Sequence, residues 1–152
     1  MAIVEQFVMS FIASSGFGIL FGAPKKALIQ CGFVGMSGWM LYKILTPDVM
    51  DVVPATIFAA MLVSVLSYSC AKIFKLPIII FNISGIIPLV PGCRAYHAMR
   101  HFVENDYATA LELSAEVALL AGGIAIGLMF SEVVRQIVLK IASARKGRTR
   151  VA

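Results

Sequence analysis

Pro88 and Pro91 end an apolar run that starts at Ile78, and Gly92 follows them directly. Each proline withholds a backbone donor and presses on the carbonyl four residues back, so a helix entering this stretch must kink or unwind. Asn82, Ser84 and Gly85 interrupt the run before the prolines are reached. In a water-soluble domain such a break would be an ordinary loop. Inside or at the edge of a bilayer, irregular backbone is tolerated only where protein or a water-filled cavity surrounds it. The flanking residues decide between the two cases.

Those residues are apolar over membrane-spanning lengths. Of 152 residues 60% are hydrophobic and only 14% charged, with a mean hydropathy of +0.92. That is far more apolar surface than one soluble core of this size can bury. The expected fold is an all-α integral membrane protein with five transmembrane helices, the fourth broken at the PLVPG string. The spans fall at about 3–21, 27–45, 52–71, 76–92 and 112–138, within a transmembrane domain of residues 1–144, and residues 145–152 form a basic cytoplasmic tail. A span of about twenty residues at 1.5 Å per residue crosses a hydrocarbon core of roughly 30 Å. The fourth segment is shorter before its break, so it either continues past Gly92 or re-enters. No basic stretch precedes the first apolar run and no small-residue cleavage site follows it, so a cleaved signal peptide is not expected.

The formal charge of +5 sits in short clusters between the spans rather than on one face. It therefore carries topology, and no nucleic-acid partner is expected. Lys25 and Lys26 lie between spans one and two, Lys72 and Lys75 between three and four, and Arg145, Lys146, Arg148 and Arg150 after the fifth. The loop between spans two and three carries only Asp48 and Asp51. With the N-terminus out and the C-terminus in, five spans put every basic cluster on the cytoplasmic side, as the positive-inside rule requires. Arg94 and Arg100 then lie outside or in the wall of the fold.

Several smaller features admit two readings. Gly32, Gly35 and Gly38 line one helix face and form a groove for a neighbouring helix, a packing role more often than a ligand-binding one. Ser64, Ser67 and Ser69 either face a polar path or bond their own i−4 carbonyls. Trp39, Tyr42 and Lys43 have the character of an interfacial belt. Cys31, Cys70 and Cys93 have no metal-type or CxxC spacing and are expected as free thiols.

Catalytic patterns are missing. There is no nucleophile and base pair, no P-loop and no metal set, since His97 and His101 lie four apart without a third ligand. No cofactor, no metal and no enzymatic activity are expected. The discontinuous helix stands out instead, because transporters use such breaks to present main-chain donors and acceptors to a substrate. A helix starting after Pro91 and Gly92 would offer N–H groups and a positive dipole end to an anionic group. The candidate substrate-binding residues are Asn82, Gly85, Pro88, Pro91, Gly92 and Arg94. The competing reading is a Pro-Gly kink in a packed helix. Glu116 is the candidate for proton coupling if it faces the interior; a solvated interfacial position is the alternative.

The strings GIIPLVPG (85–92), FGAPKKAL (21–28), GFVGMSGW (32–39) and VPATIFAAML (53–62) resemble the threonine/serine exporter family over essentially the whole chain, most closely the small membrane-only subunit of its split, two-component exporters. The resemblance implies a multi-pass protein of the bacterial inner membrane, working beside a larger second subunit that supplies the other membrane bundle and a cytoplasmic domain. A higher oligomer and contacts with membrane lipid follow from such an assembly. The implied function is proton-driven export of small carboxylate-bearing metabolites of the threonine/serine class. A dicarboxylate exporter subunit of succinate type and a structural or assembly subunit, whose partner holds the substrate site, are the alternatives. Within the family motif the matching residues are Pro88, Pro91 and Gly92, with Gly85.

Overall fold

The computed structural model describes residues 3–46 and 50–148. Among them every regular element is helical: α1 (Ile3–Leu20), α2 (Leu28–Leu45), α3 (Val52–Phe74), α4 (Ile78–Ile86), α5 (Gly92–Val103) and α6 (Tyr107–Arg148). Among the described residues three helical stretches are long and apolar enough to cross a membrane: Lys25–Leu45, Val52–Phe74 and Tyr107–Val133. The bent pair Ile78–Leu89 and Gly92–Val103 makes a fourth if it is one span, and Val4–Leu20 is a shorter apolar helix.

Local chemistry sets the helix ends. At the end of α1, Gly22 takes a φ of +70°, and the Ala23 N–H closes onto the Gly18 carbonyl at 2.9 Å. This left-handed turn suits glycine, which has no Cβ to clash. Pro24 then leads through a 3-10 turn, Lys25–Ala27, directly into α2. Lys75 closes α3 in the left-handed region at φ 53°, with the Leu76 N–H on the Ala71 carbonyl at 3.2 Å, and Pro77 stops any continuation. Asn105, at φ 62°, turns α5 into α6. Asp106 caps α6, accepting the Thr109 N–H at 3.4 Å. The helix therefore starts at Tyr107, ahead of the expected fifth span at 112, and runs on through the start of the expected tail. Residues 149–152 of that tail, and 47–49 of the acidic loop, lie outside the described residues.

Packing depends on small residues. A Cβ on Gly35 would strike the Ser14 side chain of α1, and one on Gly32 would strike Phe11 and Ser15. On the same helix, a Cβ on Gly38 would strike Val63 of α3. The glycine face of α2 is thus filled by α1 toward one end and by α3 toward the other. Gly85 of α4 fits the same junction, its missing Cβ falling 2.6 Å from Val34 Cγ1 and 2.9 Å from Val63 Cγ1. Gly123 of α6 meets Val53 and Ile57, and Gly127 meets Ile57 and Ala60, so α6 runs in the same direction as α3.

One apolar cluster, Ala27, Cys31 and Phe81 with Cys70, Ala71 and Leu76, sits at the end of the bundle that carries Lys25, Lys26, Lys72 and Lys75. The other cluster, Val34, Ala59, Ala60, Val63, Leu89 and Ile124, reaches the opposite end, where Trp39 and Tyr42 pack against it.

Of the hydroxyls in α3, Ser69 bonds the carbonyl of Val65 at 3.0 Å. Among the described residues Ser67 and Ser14 are fully buried with no hydrogen-bond partner.

Candidate functional site

The site begins where Pro88 has no N–H to return to the Ser84 carbonyl four residues back. The α4 helix ends at Ile86 and tightens into a single 3-10 turn, Ile87–Leu89. Val90 is extended, at φ −65° and ψ 127°. Pro91 follows at φ −76° and ψ 51°, and the Gly92 N–H closes onto the Val90 carbonyl at 2.8 Å, which is an inverse γ-turn. The first intrahelical bond of α5 runs from the Ala95 N–H to the Pro91 carbonyl at 3.0 Å. No side chain caps the start of α5, so the N–H groups of its first turn are left without a helical acceptor. The two helices meet at 56°.

The bend opens a cavity of about 310 Å³. Its wall is the segment from Pro88 to Arg94, faced by Trp39 and Tyr42 of α2, Thr56 of α3 and Leu120 of α6. Trp39 and Tyr42 pack with ring centroids 5.4 Å apart, their planes tilted by 33°. The Thr56 hydroxyl donates to the Val52 carbonyl of its own helix at 2.7 Å. This volume is at the small end for ligand sites. A larger groove of about 940 Å³ runs between α1 and the end of α2, and Trp39, Tyr42 and Pro88 are common to both spaces.

Charge enters the cavity through Arg94. Its Nε lies 3.7 Å from Oε2 of Glu116 on α6, with the two side chains 39% and 49% exposed. A pair this exposed adds little to stability, and its spacing is longer than a charge-assisted hydrogen bond. Farther along α5 the polar groups serve the turn into α6. Arg100 Nε donates to Glu104 at 2.8 Å, and His101 Nδ1 lies 3.3 Å from Asp106. The hydroxyl and N–H of Thr109 hold the Asp106 carboxyl below its usual range, and His101 adds to the effect. Among the described residues no group of three or more His, Cys, Asp or Glu is arranged to hold a metal ion.

Of the residues marked in the sequence, the structure brings Pro88, Pro91, Gly92 and Arg94 to one cavity and places Glu116 beside Arg94. Gly85 is buried in the helix junction, and Asn82 lies on α4 with a buried, unpartnered Oδ1. Neither lines the cavity. Trp39, Tyr42, Thr56, Cys93 and Leu120 complete it. In the sequence, Trp39 and Tyr42 read only as an interfacial belt, and nothing distinguished Thr56 or Leu120 from other span residues.

Comparison with known proteins gives one family. The family model described as Threonine/Serine exporter, ThrE matches residues 6–134, from α1 through the break and most of the apolar part of α6. No solved structure matches the chain.

Proposed function

The chain belongs to the threonine/serine exporter family, and from that premise we propose that it is a membrane subunit exporting small carboxylate-bearing metabolites, threonine and serine foremost. It works in the bacterial inner membrane beside a larger second subunit, is driven by the proton gradient and performs no enzymatic chemistry. The observation that carries the reading is a convergence at one place. The proline break, the unpaired N–H groups at the start of α5, the guanidinium of Arg94 and a cavity of about 310 Å³ are all found there. A helix N-terminus attracts a carboxylate through its free donors and dipole, and arginine binds one through its planar donor fork.

Five passes are proposed: α1, α2, α3, the α4–α5 pair and α6. At 18 residues α1 spans about 27 Å, close to a bilayer core of roughly 30 Å. The parallel course of α3 and α6 supports the topology, because it sends the end of α6 to the side of the bundle holding Lys25, Lys26, Lys72 and Lys75. That side is cytoplasmic under the positive-inside rule, with the N-terminus out and the cavity toward the outer face.

The test is uptake of labelled serine, threonine and succinate into inverted vesicles, where export becomes uptake, with this chain, its partner subunit, or both. Uptake of serine and threonine with both together is the expected result. Uptake with the partner alone would reduce this chain to an assembly subunit, and uptake of succinate alone would move the substrate class to dicarboxylates.

A further inference from the structure

The ion pair at the cavity mouth is loosely made. The Nε of Arg94 approaches Glu116 at 3.7 Å, which is about an ångström beyond a charge-assisted hydrogen bond. A guanidinium has five donors in a planar fork, and one edge facing Glu116 leaves others for a second anion. Glu116 stands one helical turn before Leu120, which lines the cavity, so both charges sit at the rim of the same space.

Resting on the exporter reading, we propose that Arg94 and Glu116 together recognise a zwitterion, Arg94 taking the carboxylate of an α-amino acid and Glu116 its ammonium, and that a proton on Glu116 competes with that ammonium. The two charges of an amino acid are carried on one carbon and lie within a few ångströms of each other, as the cation and anion of this pair do. A dicarboxylate in the same place would set its second carboxylate against Glu116, and like charges oppose one another there. Glu116 thus separates amino acids from dicarboxylates, which the helix N-terminus and Arg94 alone do not.

The same arrangement gives exchange. When Glu116 is ionised it accepts the ammonium. When it holds a proton it is neutral and the ammonium loses its partner, so proton and amino acid occupy the site in turn. The proton leaves a carboxylate oxygen as the ammonium arrives and returns as it departs. Arg94 on α5 faces Glu116 as its ion-pair partner. The other titratable groups nearest the pair along the two helices are Glu112, one turn earlier on α6, and Cys93, Tyr96 and His97 within three residues of Arg94 on α5; on α3, which packs against α6, the group at the near end is Asp51.

The experiment is equilibrium binding of labelled serine, hydroxypropionate (serine without its amine) and succinate to membranes carrying the full chain and its partner. It compares wild type, Glu116→Gln and Glu116→Asp across the pH range in which carboxylates titrate. Wild type should prefer serine, and acidification should weaken serine but not hydroxypropionate once each affinity is expressed per ionised solute, because the carboxyl of hydroxypropionate itself titrates in this range. Glu116→Gln should weaken serine by about tenfold to a hundredfold, the worth of a charged hydrogen bond. It should also abolish the pH dependence and bind hydroxypropionate no more weakly than wild type, while Glu116→Asp keeps part of the preference. Glu116 is half-exposed, so the substitution leaves the fold intact, and an unchanged melting temperature checks this. If Glu116→Gln binds serine with wild-type affinity, selectivity and pH profile, this inference falls and the exporter reading stands. If wild type binds none of the three solutes, both fall.

Discussion

Arg94 and Glu116 approach to 3.7 Å across the α5–α6 contact, beside the cavity formed by the proline break. Because both side chains are well exposed, truncating Arg94 should change stability by no more than about 1 kcal/mol. Loss of the carboxylate's partner should nevertheless reduce flux at least tenfold, the scale of one charged hydrogen bond. Thermal unfolding and vesicle uptake of Arg94→Ala, measured on the same preparation, separate the two effects.

Pro88→Ala restores a donor for the Ser84 carbonyl and lets α4 run on past Ile86. The expected outcome is a chain that assembles and melts like wild type but transports poorly, because the 56° bend that opens the cavity is no longer enforced. Unchanged uptake in Pro88→Ala would mean that the break serves only packing.

Two glycines on different faces make a controlled pair for the fold. Gly35→Ala drives a Cβ into the Ser14 side chain, and overpacking of this kind costs about 1–3 kcal/mol. Gly122→Ala meets nothing within 4 Å and should be neutral or stabilising by up to about 1 kcal/mol, through helix propensity. Melting temperatures in one detergent compare them directly.

The α5–α6 turn should weaken in acid. The Asp106 carboxyl, held below its usual range first by Thr109 and then by His101, is ionised more readily in the folded chain than in the unfolded one. Its stabilising effect is therefore fully present above the unfolded value of 3.8 and is lost as pH falls through the lower folded value. Asp106→Asn should remove this part of the acid sensitivity. Hydrogen exchange of the amides at the start of α6, followed against pH, reads it.

What was legible in the sequence was what is local in it. Pro88, Pro91, Gly92 and Arg94 lie within seven positions of one another, so backbone chemistry alone marked a break with a cation beside it. The glycines of α2 announced close packing, yet the division of that face between α1 and α3 is a tertiary fact. Trp39, Tyr42, Thr56 and Leu120 come from three other helices. A helix apolar on every side gives no periodic sign of which face turns inward. For the same reason Asn82 and Gly85, adjacent in sequence to the break, could not be told apart from it: the packing of Val34 and Val63 against Gly85 fixes its role. Glu116 was ambiguous until α5 folded back along α6 and brought Arg94 to it.

The most direct measurement uses the thiol already present in the cavity wall. Cys93 is exposed and lines the cavity, whereas Cys31 is buried and Cys70 half-buried in the bundle. Maleimide labelling of each cysteine, located by peptide mass spectrometry, is followed with and without saturating serine or threonine in membranes that transport them. The account expects substrate to slow labelling at Cys93 in a concentration-dependent way and to leave Cys70 unchanged. A labelling rate at Cys93 that is indifferent to transported substrate would contradict the placement of the binding site behind the proline break.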